Sequence, residues 1–296
     1  MNYRYRKEIN LFTDNLGGPL DLNGKIIPWN HSYQSIVEST WQSKKKDPLF
    51  KLKSVDKKFT LEFAEKVGLD LDRPLVTLHV RDSNFKLPEP FRDANIVNYE
   101  AAINFLISSG YNVIRVGSST QRSLKPRSHY FELGISAPHN FKLQIGFTAL
   151  SKFFIGTSSG AYTVANAFGV PVLATNYLPL SNLNLGPNSL FMSKLIRRRN
   201  KQYVNFSALF SPPLTMFRIP GQLERLDLEP VENSPGEILE AVTDMHNFLQ
   251  SELTPNSLQI EFSKKLRQFE ILPGLVDYGL ACFVAPSFAG RYLDLM

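Results

Sequence analysis

From Arg73 onward, short apolar runs alternate with stretches in which apolar residues recur every three or four positions, a pattern that predicts strands alternating with amphipathic helices. Leu75–Val80, Tyr111–Val116, Phe153–Ile155 and Val170–Thr175 read as buried strands. Val97, Ala101, Ile103 and Leu106 mark a helix that stops at Gly110; Phe141–Leu150 and the residues after Gly160 mark two more. Residues 121–140 read as loop-rich, and the chain after Asn176 reads as irregular to about Pro230, punctuated by Pro179, Pro187, Pro212, Pro213 and Pro220. Ser234-Pro235-Gly236-Glu237 then forms a capping box with proline at the first helical position, and Ile238, Leu239, Val242, Met245 and Leu249 supply an apolar face. A further helix is expected near Gln259–Glu270, before an apolar tail broken by Gly and Pro; upstream, Lys57–Val67 is an amphipathic helix candidate. Such alternation predicts an α/β fold, a Rossmann-like parallel sheet flanked by helices. The expected division is an N-terminal extension over 1–70, a Rossmann-like unit over 71–232 and a C-terminal helical region over 233–296.

Two strand ends collect chemistry. After Phe153–Ile155 the chain runs through Thr157, Ser158, Ser159 and Gly160 into a helix, so hydroxyls and unpaired first-turn N–H groups meet there. This is either an ordinary N-cap or a seat for a phosphate. Leu75–Val80 ends on His79, Arg81 and Asp82, at the carboxyl edge where open α/β sheets bind ligands. Arg81 suits a two-pronged charged bond to a pyrophosphate oxygen. His79 suits a phosphate, a ribose, or a backbone carbonyl of the core. Gly117 and Ser118 form a third small loop, after Tyr111–Val116.

The 296 residues carry a net charge of +6, concentrated in Lys44–Lys46 and Arg197–Arg199. The lysine run reads as a solvated loop; the arginine run, following Leu190-Phe191-Met192, faces a phosphate or a membrane surface. Neither is interleaved with aromatic residues, and no helix-turn-helix or zinc-finger spacing is present, so a nucleic-acid partner is not expected. The single cysteine, Cys282, sits in an apolar stretch and excludes an internal disulfide or a multi-cysteine metal site. The N-terminus lacks a secretory pattern and no apolar run is long enough to cross a bilayer, so the expected compartment is the cytoplasm. An NAD-dependent oxidoreductase would need a Gly-x-Gly-x-x-Gly turn after the first strand, and none is there.

HVRD at 79–82, NYEAAINFLISSGYNVIRVG at 98–117 and ALSKFFIGTSSGAYTVANAFGVPVLATN at 149–176 together resemble a family of bacterial glycosyltransferases associated with surface-polysaccharide synthesis. More distantly they are similar to the nucleotide-sugar half of GT-B fold fucosyltransferases. The resemblance covers roughly residues 73–200 and implies a GT-B-like fold with a reduced, acceptor-side N-terminal part over 1–70. It implies that His79 and Arg81 bind the diphosphate of a donor, GDP-sugar favoured. Thr157, Ser158, Ser159 and Gly160 would line the phosphate turn, and Gly117 and Ser118 would border the nucleoside. The implied reaction is sugar transfer to a glycan or lipid-linked glycan acceptor, with no cofactor and no metal, at the inner face of a membrane. Arg81 would stabilise the leaving diphosphate, and Asp82 leads Glu89 and Asp93 as the carboxylate placed to act as base. Arg92, Tyr99 and Lys194 are further candidates for donor contact. The alternative is a non-catalytic subunit that binds a nucleotide or a glycan.

Overall fold

The computed structural model describes residues 48–82, 91–137, 140–180, 183, 185–209, 214, 221–251, 254–268 and 282–295. Lys44–Lys46 and Glu89 lie outside the described residues.

Seven strands form one parallel sheet: β1 Leu75–His79, β2 Asn112–Arg115, β3 Tyr130–Glu132, β4 Phe153–Gly156, β5 Val172–Tyr177, β6 Ser189–Ser193 and, after two strands outside this sheet, β9 Cys282–Val284. Those two, β7 Leu195–Arg198 and β8 Leu228–Val231, pair antiparallel. The spatial order is β3-β2-β1-β4-β5-β6-β9. Parallel strands covered on both faces need near-continuous apolar sequence, and β4, Phe153-Phe154-Ile155-Gly156, is buried at every position, as is β2.

The helices are α1 Ser54–Lys66, α2 Glu100–Ser108, α3 Phe141–Leu150, α4 Ala161–Ala167, α5 Pro235–Gln250, α6 Ser257–Gln268 and α7 Pro286–Tyr292. A 3₁₀ turn at Ile96–Tyr99 leads into α2, and single helical turns occur at Leu133–Ser136, Phe206–Leu209 and Gln222–Arg225. The capping box is present: Ser234 accepts from the backbone of Glu237, whose side chain accepts from the backbone of Ser234. Ile238, Val242 and Met245 are fully buried where α5 packs on α2 and the 3₁₀ turn. On the other side α1 packs against α3, close enough that a side chain at Gly146 would overlap that of Thr60.

Three stretches differ from the sequence expectation. Residues 121–140 contain β3, and 177–230 contain β6, β7 and the start of β8. The apolar tail holds β9 with buried Cys282, a short strand that joins the sheet beside β6. The Arg197–Arg199 run lies on the β7–β8 pair, where Arg197 bridges Glu229 at 2.6 Å and Arg199 bridges Asp227 at 2.5 Å. Two of the three arginines thus have carboxylate neighbours, and Arg198 and Arg199 remain exposed.

Candidate functional site

β1 has β2 on one side and β4 on the other, so the chain leaves its carboxyl end in one direction and returns to the sheet in the opposite one. Such a switch point opens a crevice outside the strand ends. A cavity of about 570 Å³ occupies it. His79, Arg81 and Asp82 line it from β1, Gly117 and Ser118 from the turn after β2, and Ser159 and Gly160 from the start of α4. Three segments 40 or so residues apart in sequence are thus brought to one cleft, of a size usual for small-molecule sites.

Within it, His79 Nδ1 lies 3.1 Å from the Ser159 hydroxyl, which also accepts weakly from the Ala161 N–H at 3.4 Å. Burial, then the nearby Arg115, Arg81 and Arg92 charges, push the His79 pKa down from 6.5 to about 4, so the ring is neutral near pH 7. A neutral imidazole can pair with the serine as donor or acceptor and leaves its second nitrogen for a ligand. The depressed value has a sign for stability. Between about pH 4 and 6.5 the unfolded chain takes up a proton at His79 that the folded chain refuses, so stability falls as pH drops through that window and is complete above it. His79→Gln is expected to remove up to about 3 kcal/mol of this acid sensitivity, seen as a flatter profile in denaturant unfolding between those pH values. An unchanged profile would place the pH dependence elsewhere.

Arg81 is placed differently from a free phosphate ligand. Its side chain is 7% exposed and its guanidinium is ion-paired with Asp93, while its backbone N–H donates to the Thr157 hydroxyl at 3.1 Å. Asp93, one of the candidate bases, is 8% exposed, and its backbone carbonyl accepts from the Lys194 ammonium at 2.5 Å. Lys194 is almost wholly buried, and that burial, partly offset by Glu232 and Asp93, brings its pKa down to about 8. Thr157 and Ser158 are buried behind the turn and are not among the cleft-lining residues. Tyr99 is also outside it; its hydroxyl bonds Thr175 at 2.7 Å and Asn176 at 3.1 Å in the core, and burial lifts its pKa to about 12.

Arg92 does reach the cleft. Its Nε donates to the Ser158 carbonyl at 2.8 Å, which fixes the stem of the guanidinium beside Ser159 and Gly160. A methyl group built on Gly160 meets nothing within 4 Å, so this position opens directly onto cleft space. Gly160→Ala is expected to leave the melting temperature within a few degrees, since its methyl group meets no protein atom within 4 Å, yet to weaken binding of any ligand seated against the turn at least about tenfold. Weakened folding with unchanged binding would reverse that assignment.

The opposite wall was missed from sequence. Phe141, Gln144, Ile145 and Thr148 all line the cleft from α3, at the i, i+3, i+4, i+7 spacing of a single helix face. Leu143 and Phe147 point into the core instead. The signal was available, because Phe141–Leu150 is apolar on two sides and one core can cover only one of them. Gln144 ties this wall to the β2 turn, accepting from the Gly117 N–H at 3.2 Å and donating to its carbonyl at 3.0 Å. Gly117 has φ of +143°, and a side chain there would overlap that of Gln121, so the turn requires glycine.

Asp82 borders a second cavity of about 360 Å³ as well, whose polar lining is Asp82, Asp93, Asn95, Arg122 and Glu232. Its Oδ2 accepts from the Arg122 N–H at 2.9 Å, and Glu232 accepts from Asn95 and Asn98. Among the described residues no group of three His, Cys, Asp or Glu side chains is placed to hold a metal ion, and no helix is long and apolar enough to cross a membrane.

No family model and no curated protein matches the chain. Parts of several solved structures are similar to part of it. One is the E. coli ADP-heptose LPS heptosyltransferase II, at 16% identity and TM-score 0.37, over 48% of this chain and 44% of that one. A glycosyl transferase family 9 protein of Veillonella parvula shows 12% identity and TM-score 0.36, over 49% and 42%. The iron-containing heptosyltransferase TibC, solved with ADP-D-beta-D-heptose, shows 16% identity and TM-score 0.36, over 61% and 47%. The chain thus spans less than half the length of each of these structures. At such TM-scores the likeness is confined to a portion of the fold, and the chemistry has to be read from the cleft itself.

Proposed function

We propose that the protein is a glycosyltransferase whose larger cleft binds a nucleoside-diphosphate sugar and whose reaction passes the sugar to an acceptor hydroxyl. The observation that carries this is the convergence of neutral His79, Ser159, Gly160 and Arg92 on one side of a switch-point cleft whose other side is the apolar face of Phe141 and Ile145. Hydrogen-bond donors and a cation suit a diphosphate, and a flat apolar wall suits a nucleobase. As the bond to the anomeric carbon breaks, negative charge grows on the departing diphosphate, and Arg92 with the Ser159 hydroxyl can stabilise it. Asp82, held by Arg122 at the border between the two cavities, is the carboxylate positioned to take the acceptor proton. Nothing in this scheme calls on a metal, so turnover is expected to survive a chelator.

From the family resemblance we further propose a GDP-sugar as donor, a glycan or lipid-linked glycan as acceptor and surface-polysaccharide synthesis as the setting. The test is a thermal-shift panel with GDP, ADP, UDP and CMP, followed by nucleotide-sugar hydrolysis and transfer assays. Stabilisation by one nucleoside diphosphate together with turnover of its sugar supports the assignment; no response to any nucleotide overturns it. Binding without transfer or hydrolysis is the second reading, favoured by the commitment of Arg81 to Asp93, and affinity without product would establish it.

A further inference from the structure

The smaller cavity, of about 360 Å³, meets the larger cleft at Asp82, which lines both. Its lining is of a different kind. The larger cleft has the apolar wall of α3, whereas here carboxylates, the Asn95 amide and Arg122 surround a small apolar floor of Ala94 and Ile96. The charges are largely answered within the protein. Asp93 is ion-paired with Arg81, Asp82 accepts from the Arg122 N–H at 2.9 Å, and the buried Lys194 ammonium acts on both Glu232 and Asp93. Hydrogen-bonding capacity, by contrast, is left over. Glu232 takes both of its bonds on Oε2, from the Asn95 N–H at 2.9 Å and the Asn98 amide at 3.2 Å, so Oε1 accepts from none of the described residues. Asn95 caps the 3₁₀ turn with Oδ1, which accepts from the Val97 N–H at 3.1 Å, and its Nδ2 donates to none of the described residues.

An acceptor oxygen, an amide donor and apolar surface side by side match a ligand that carries hydroxyls on a C–H skeleton, because each hydroxyl both donates and accepts. The sign of the lining narrows the choice further. An anionic ligand would be brought against three carboxylates, while the cations that answer them, Arg81 and Lys194, are buried behind the surface. A cationic ligand gains little, since Arg81 and Lys194 already fill that role. A neutral polyol makes the unused hydrogen bonds and disturbs no charge.

We propose that the smaller cavity seats a neutral, hydroxyl-rich sugar residue of the acceptor, held by Glu232 and Asn95, with the hydroxyl to be glycosylated turned toward Asp82. This rests on the transferase reading of the larger cleft. In the step itself the acceptor oxygen bonds to the anomeric carbon as that carbon's bond to the diphosphate oxygen breaks; the electron pair leaves with the diphosphate and the acceptor proton passes to Asp82. The probes are the methyl glycosides of glucose, galactose, mannose, xylose and N-acetylglucosamine, with those of glucuronic and galacturonic acid. Saturation-transfer NMR on the full-length protein, with ligand up to about 100 mM, registers dissociation constants in the millimolar range. At least one neutral glycoside is expected to bind, and the uronates at least about tenfold more weakly. Glu232→Ala and Asn95→Asp are each expected to lower that affinity about tenfold, and Gly160→Ala to leave it as in wild type. Asn95→Asp keeps the oxygen that caps the turn, so an unchanged melting temperature serves as its folding control. Absence of binding by every neutral glycoside, equal binding by wild type and both variants, or uronates bound as tightly as neutral sugars would overturn the assignment. The nucleotide panel is read apart from these results. Nucleotide binding without glycoside binding defeats the acceptor seat alone, whereas glycoside binding lost in both variants, with no response to any nucleotide, upholds the sugar seat and defeats the donor reading alone.

Discussion

Asp93→Asn is expected to destabilise the protein by about 3 to 5 kcal/mol, one of the largest effects of any single polar substitution in the described structure. The pair it breaks is buried on both sides: the Arg81 side chain is 7% exposed and that of Asp93 11%. Removing one charge leaves a guanidinium in a region that water reaches poorly, and the desolvation penalty of that cation is no longer met. The double replacement Arg81→Met with Asp93→Leu removes both charges and is expected to recover much of the loss, so a double-mutant cycle in denaturant gives a large favourable coupling. A single-mutant loss below about 1 kcal/mol would show that Arg81 finds an equivalent partner without Asp93. The pair also bears on function. Replacing Arg81 alone confounds donor binding with folding, so a failure of Arg81→Ala to bind nucleotide would not identify Arg81 as a phosphate ligand.

That pairing is also where sequence reading reached its limit. The strand-end cluster of His79, Arg81 and Asp82 was legible, because a period of apolar residues that stops on charged ones marks the carboxyl edge of a buried strand. What the cluster touches was not legible, since Asp93 is separated from Arg81 by residues whose path no periodicity fixes. The four strands at the centre of the sheet were visible for the same reason that they are central: β1, β2, β4 and β5 are buried across at least four consecutive residues. β3 and β9 have three residues each, too few to show a period, and β6 begins and ends on serine. Ser189 and Ser193 are nonetheless fully buried; the Ser189 hydroxyl accepts from the Val172 N–H at 2.9 Å, whereas the Ser193 hydroxyl has no hydrogen-bond partner among the described residues. Polar residues buried inside the sheet read in sequence as loop, which is why 177–230 looks irregular. The helices carried their own punctuation: the Ser234–Glu237 box fixed the start of α5, and Asn140 accepting from the Leu143 N–H did so for α3.

Arg92→Ala is expected to weaken nucleoside-diphosphate binding by about tenfold to a hundredfold, the range that one or two charge-assisted hydrogen bonds supply. Of the cations near the cleft, Arg81 is ion-paired with Asp93 and Lys194 is buried against the Asp93 carbonyl, while Arg92 lines the cavity with its stem anchored on the Ser158 carbonyl. Calorimetry with the best nucleotide from the panel reads the effect directly, and the affinity of wild type should fall more steeply with salt than that of the variant. Arg92→Lys is expected to recover only part of the loss, because an ammonium restores the charge but neither the fork nor the bond that holds the guanidinium to Ser158. Melting temperatures separate this from a folding defect, since the variant also removes the donor to the carbonyl of Ser158, a buried residue. Full affinity in Arg92→Ala would remove the cation from the proposed diphosphate seat. The cleft would then hold its ligand through His79, Ser159 and the apolar wall, a lining suited to a neutral molecule rather than a dianion.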